Sequence, residues 1–300
     1  MNTNYEFLRG TGVALITPFT KTGHIDYDSL NLVINHCIHG KVDYLVSMGS
    51  TGEAATLSFD ERLEVIYHTI KICNGRIPIL AGVGGNNTAE LIRECKLLNP
   101  EGLSGILSSS PSYNKPSQEG IYRHYMELAE HSNLPIVIYN VPGRTASNIS
   151  PETCLRLAFA SDKFAAIKEA SGDLTQATKI IKDKPAHFQV LSGDDPLALG
   201  LIGIGGTGVI SVIANIYPGM FSNIIRFALN GDFTKAQQLN LKLFDLHKWL
   251  YIDGNPSGVK AAAFHLGLCE NNLRLPLVPM SQTNFNKLVE ELNRIGTDSI

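Results

Sequence analysis

The chain has 300 residues, 44% of them apolar and 18% charged, and a formal net charge of −3. This is the composition of an ordinary soluble globular protein, with no basic excess directed at nucleic acid or an anionic membrane. No apolar run reaches the ~18 residues of a membrane span, and the opening "MNTNYEFLRG" lacks the basic-then-apolar order of a secretory signal.

Short β-branched runs alternate along the chain with longer segments of 3.6-residue apolar period. "GVALITPF" (12–19) is the first strand candidate, followed by the helical "DSLNLVINHCIHG" (28–40). "DYLVSMGS" (43–50) precedes "DERLEVIYHTIKICNG" (60–75), whose start carries a capping box from Ser58 to Glu61. "IPILAGVG" (77–84) leads to a helix capped at Asn87 or Thr88, and "SGILSSS" (104–110) is the fourth strand. "LPIVIYNV" (134–141) precedes a helix entered through Ser150 with Pro151 at its first position. "FAAIKEA" (164–170), "FQVLSGD" (188–194) and "GVISVIA" (208–214) complete the set, and Gly40, Gly75 and Gly231 mark helix ends.

Length alone suggests two domains of about 150 residues, but α/β barrels of about 250 residues are the standing exception. Eight evenly spaced strand–helix units with near-continuous apolar strands predict a closed (β/α)8 TIM barrel over residues 1–231. Segments 235–252, 257–268 and 284–296 then read as three helices with no strand between them. They predict a C-terminal helical region, 232–300, that adds to the barrel rather than forming a second core. "GIGGTG" (203–208) formally matches a dinucleotide fingerprint, but a helix precedes it and a strand follows. The order is reversed, so tight helix-to-strand packing is expected and no nucleotide cofactor. The five cysteines form no CxxC pair and the nine histidines no HxxxH or HExxH spacing. Reduced thiols, a cytoplasmic location and no metal site are expected.

In such a barrel the chemistry sits at the C-terminal ends of the strands. There the second strand offers Ser50 and Thr51 between two glycines, and the fourth leads to Tyr113. The fifth gives Tyr139 and then Arg144; the sixth ends on Lys168. The seventh runs out around Gly193, and the eighth carries Ile210 and Ser211. Singly, each is an ordinary turn residue, rim aromatic or solvated charge. Together they place a lysine, several hydroxyls and an arginine on one rim. A neutral lysine amine there attacks a ketone and forms a Schiff base. With a free pKa of about 10.4, only about one lysine in a thousand is neutral near pH 7.4, so desolvation at the barrel mouth must lower that value. Glu169 follows directly, and strand alternation turns it to the opposite face. Tyrosine and Ser/Thr hydroxyls can relay protons, and an arginine can grip a carboxylate.

"GSTGEAATLS", "SPSYNKPSQEG", "YNVPGRT", "IKEASGD" and "LSGDD" with "GTGVISV" resemble the dihydrodipicolinate synthase family, among the pyruvate-dependent aldolases that share the N-acetylneuraminate lyase fold. The resemblance runs from about Gly10 to the last helices. It implies a Schiff base between pyruvate and Lys168, and attack of the enamine on aspartate semialdehyde in the diaminopimelate route to lysine. It also implies Tyr139 as central proton shuttle, linked through Thr51 to a Tyr113 supplied by a neighbouring subunit of a homotetramer. Ser50 stands where the family often has threonine and keeps the hydroxyl. Arg144 is implied to hold the semialdehyde carboxylate, and Gly193 and Ile210 to offer backbone carbonyls near pyruvate. Sugar-acid lyases of the same fold generally lack that arginine, so Arg144 argues against a keto sugar acid. An inhibitory lysine site is implied at Asn86 and Glu90. Ser112, Phe59 and Arg62 depart from the lysine-sensitive pattern, so weak or absent lysine inhibition is expected.

Overall fold

The structure, a computed structural model, describes residues 5–296. Eight parallel strands close in sequence order: β1 (Gly10–Ala14), β2 (Tyr44–Ser47), β3 (Ile79–Val83), β4 (Gly105–Ser109), β5 (Ile136–Asn140), β6 (Phe164–Glu169), β7 (Gln189–Ser192) and β8 (Gly208–Ser211). This is the expected TIM barrel. Its eighth strand returns to the first, with Gly208 opposite Gly10 and Ile210 opposite Gly12. At Gly208 only a hydrogen fits, because a Cβ would stand 2.3 Å from the Gly10 carbonyl oxygen. Within "GIGGTG" the helix Ala198–Gly203 precedes and β8 follows, the reverse of a dinucleotide site.

Alternation along each strand sorts the side chains into two layers. Ala14, Val46, Leu80, Leu107, Val137, Ala166, Leu191 and Ile210 fill the barrel interior, closed at one end by Tyr5 and Leu8. Val13, Leu45, Ile106, Ile138, Ile167 and Val209 face outward to the helices. Lys168 shares the inward phase of Ala166, and Glu169 the outward phase of Ile167.

Helix ends follow the local signals. Ser58 and Glu61 form the reciprocal capping box, Asn87 and Ser150 are N-caps, and Pro151 is the first helical residue. Asn74, in the left-handed region, caps the helix that runs into Gly75. The first strand is shorter than its apolar run. Past Ala14 the Asn215 carboxamide takes over the pairing: Nδ2 donates to the Ala14 carbonyl at 2.8 Å, and Oδ1 accepts from the Ile16 amide at 3.1 Å.

The helices Phe233–Tyr251, Ser257–His265 and Gln282–Ile295 follow the barrel. Leu243, Leu246, Leu250 and Val259 belong to the same apolar cluster as the barrel's outward face. A polar tie also joins the two parts. Glu53, fully buried and left-handed at φ 57°, ends the turn that carries Ser50 and Thr51. Its carboxylate pairs with Lys260, also fully buried, and accepts from the Arg274 amide at 3.2 Å. The Lys260 ammonium donates to the Asn272 carbonyl at 2.9 Å and lies 4.2 Å from the Phe19 ring centroid. Arg274 grips Glu61 with two bonds, of 2.9 and 2.6 Å.

Candidate active site

Two connected cavities open at the C-terminal end of the barrel. The inner one, of about 110 Å³, is lined by Lys168, Tyr139, Thr51, Gly193, Asp194 and Tyr251 among others. The outer one, of about 690 Å³, shares Ser50, Tyr139, Arg144 and Asn255 with it and extends to Arg62, Asn86 and Ser112.

The two inward residues Tyr139 and Lys168 are register neighbours on β5 and β6. The Lys168 ammonium nitrogen stands 4.4 Å from the Tyr139 ring centroid, and the side chain is only 5% exposed. Burial pulls its pKa down to about 8, against the opposing pull of the Asp195 carboxylate; Arg144 lowers it further and Asp194 raises it. At such a value roughly a fifth of the amine is neutral at pH 7.4, against about 0.1% for a free lysine. Glu169 takes no part in this. Its oxygens accept from Asn140 at 3.0 and 3.1 Å, Gln176 at 3.0 Å and the Ser171 amide at 2.7 Å, outside the barrel wall. The alternation expected from the strand period keeps the acid away from the Lys168 amine. Against Lys168 the chain needs Gly193: a Cβ there would fall 2.6 Å from Ala170 Cβ and 3.2 Å from Lys168 Cε.

The hydroxyls enter from the turn after β2. Tyr139 and Ser50 line both cavities together, and burial raises the Tyr139 pKa, so the phenol stays protonated and available to donate at neutral pH. Thr51, 3% exposed, accepts from Asn255 Nδ2 at 3.0 Å. Its own proton is then free to point elsewhere. The Asn255 carbonyl in turn accepts from Arg144 at 3.3 Å. Arg144 sits on the short helix Pro142–Thr145, exposed at the mouth where it can meet an anion.

Of the other expected residues, Ile210 is buried in the barrel interior and lines neither cavity. Tyr113 is 90% exposed, with φ 65°, and also lines neither. Asn86 borders the outer cavity, where Oδ1 accepts from the Ser112 amide and hydroxyl at 2.8 and 3.1 Å. Glu90 lies outside that lining and pairs with Arg93.

Comparison with known proteins decides which chemistry this rim belongs to. The sequence model of the "Dihydrodipicolinate synthetase family" matches residues 7–295. The chain belongs to the dihydrodipicolinate synthetase family. A 4-hydroxy-tetrahydrodipicolinate synthase from Phocaeicola vulgatus is 48% identical over 96% of this chain and 97% of its own. The dihydrodipicolinate synthase of Aquifex aeolicus superimposes with a TM-score of 0.93 at 41% identity, covering 95% of this chain and 97% of its own. The chloride-inhibited enzyme of Acinetobacter baumannii, solved with pyruvate, gives 0.94 at 39% identity, covering 96% and 99%.

Dihydrodipicolinate synthetase membership makes this chain a lyase-type enzyme of the aldol-condensing kind. Several residues around the rim escaped sequence reading. Asn255 and Tyr251 lie beyond the last strand, in a stretch whose apolar period announces only helices. Asp194 and Asp195 were in view within "LSGDD", but nothing local distinguishes a buried carboxylate from a loop charge. The signal was the doublet's place at the end of a strand.

Proposed function

We propose that this enzyme is a 4-hydroxy-tetrahydrodipicolinate synthase, condensing pyruvate with L-aspartate 4-semialdehyde in the diaminopimelate route to lysine. The observation that carries the reading is the desolvated Lys168 amine facing Tyr139 in an inner cavity of about 110 Å³. The neutral amine adds to the pyruvate ketone and water leaves, forming a cationic imine. Loss of a methyl proton gives an enamine, whose carbon attacks the semialdehyde aldehyde. The adduct's own amine then adds to the imine carbon, closes the ring and releases Lys168. Each step moves a proton, and Tyr139 with Ser50 and Thr51 supports a hydroxyl relay for it. Arg144 serves the second substrate's carboxylate; Gly193, in the inner cavity's lining, offers a main-chain carbonyl near the first, and Ile210 would do so only from behind that lining.

The native assembly is a homotetramer, a dimer of dimers, in which Tyr113 completes the relay of a neighbour; its exposure and its distance from both cavities of its own chain support that role. The proposed division is a barrel over 1–231 and a helical region over 232–300, of which residues 1–4 and 297–300 lie outside the described residues. The five scattered, unpaired cysteines support a cytoplasmic location. The relatives are named synthases, which disfavours the keto-sugar-acid alternative.

Pyruvate and borohydride should leave a reduced adduct on the peptide containing Lys168. Turnover should appear with aspartate semialdehyde and not with N-acetylmannosamine; the opposite preference would end the proposal. In Arg144→Ala, kcat/KM for the semialdehyde should fall by about 10² or more, with pyruvate trapping retained, because a charge-assisted grip on one substrate is lost. Loss of trapping in a folded variant would refute that role.

Lysine should inhibit weakly or not at all. Beside Asn86 and Ser112 the outer cavity presents Arg62, which pairs with Glu94 at 2.6 Å and covers the Phe59 ring. A fixed guanidinium there repels a cationic amino acid. A sub-millimolar inhibition constant in a steady-state assay would contradict this.

A further inference from the structure

Behind the inner cavity lies a carboxylate that the reaction scheme above does not use. Asp195 follows Gly193 and Asp194, which line the cavity with Lys168, and it is 1% exposed. Its Oδ2 accepts from the Val212 and Ile213 amides, both at 2.9 Å, at the end of β8. Val212 is itself part of the cavity wall. Oδ1 is fully buried and has no hydrogen-bond partner among the described residues. The segment that carries Asp195 runs close by Lys168: a Cβ at Gly193 would stand 3.2 Å from Lys168 Cε.

The chemistry at Lys168 requires a neighbour of this kind. The amine begins as a buried ammonium ion, becomes neutral to attack, and is a cation again as the imine. A positive charge in a low-dielectric cavity costs several kcal/mol unless an opposite charge accompanies it. Arg144 is cationic and remains at the mouth. The Asp194 carboxyl is half-buried, its pKa raised by burial and by Asp195. From the helix Phe233–Tyr251, burial lowers the pKa of His247 against the opposing pull of Asp195, and burial with Asp195 raises that of Tyr251, so both are neutral near pH 7. Tyr139 is likewise held neutral.

We propose that the Asp195 carboxylate is the fixed counter-charge of the Lys168 nitrogen, accompanying it as ammonium and as imine cation. The inference rests on the Schiff-base reading of Lys168. Two amide donors hold Oδ2 in place, and the partnerless Oδ1 has only the field of its surroundings to answer. Asp195 touches no substrate and acts through Lys168.

The test is Asp195→Asn, which keeps a carbonyl oxygen for the two amides and removes the charge. Without the counter-charge the ammonium and the imine cation lose stability alike. Below the amine's pKa the exchange of one cation for the other is then unaffected. Above it, a neutral amine must gain a less stable cation. The pyruvate concentration for half-maximal adduct, read after borohydride quenching at each pH, should therefore be unchanged at about pH 6 and about tenfold higher at about pH 9. The onset of that rise should shift down by about one pH unit. Equal weakening at both pH values, as general damage to the site would produce, overturns the proposal, as does no change at either. If the asparagine variant does not fold, Asp195→Ser, smaller and neutral, must show the same signature. If wild-type enzyme yields no adduct at Lys168, the Schiff-base reading fails first; if it yields one and the signature is missing, only the counter-charge role fails.

Discussion

Lys168→Met should be catalytically dead and yet more stable than the parent enzyme. Methionine retains a long apolar stem and removes the nitrogen. No substitute amine is at hand among the described residues: Lys260, the other fully buried lysine near this end, is committed to Glu53 and lines neither cavity. Turnover and borohydride-trapped pyruvate should both vanish. Stability moves in the opposite direction. The pKa of Lys168 is about 8 in the folded enzyme, below its value in the unfolded chain. Between those two values the unfolded chain binds more protons, so native stability rises with pH across that window. Below it the lysine carries its full penalty, of order 3 kcal/mol for a shift of about 2.5 units. Lys168→Met should therefore melt higher than wild type at about pH 6, with the gap closing towards about pH 10. A variant that melts lower at both would show that the amine is not held against a desolvation cost.

Tyr139→Phe should lower kcat by about 10² to 10³, the range expected when a positioned proton carrier is removed. The ring that lies over Lys168 would remain, so the inner cavity should keep its shape. Pyruvate should still be trapped, more slowly, with a melting temperature near that of the parent. Wild-type kcat in this variant would remove Tyr139 from the relay.

The fold was largely legible because its signals are local. Strand periods of two, helix periods of 3.6, the Ser58 capping box and Pro151 each declare themselves within a few residues. Strand parity alone placed Lys168 inside and Glu169 outside, and the structure bears this out. What escaped notice depends on distance along the chain. Asn255 meets Thr51 across 204 positions, and Lys260 meets Glu53 across 207. Neither asparagine nor lysine is unusual where it stands. The first strand's early end has the same origin, since its last pairings are made by a side chain 201 positions away.

The tie between Glu53 and Lys260 bears on how this architecture can change. One end stands three residues from Ser50 and two from Thr51; the other belongs to a helix beyond the barrel's last strand. Cutting the chain near residue 231 would strand an acid in an oily interior and loosen the loop that holds Ser50 and Thr51. Recombination that grafted this barrel onto a different tail would inherit Lys168 but not the support of the turn that carries Ser50 and Thr51. The boundary visible in the order of elements is therefore no seam along which evolution or an engineer could separate the parts.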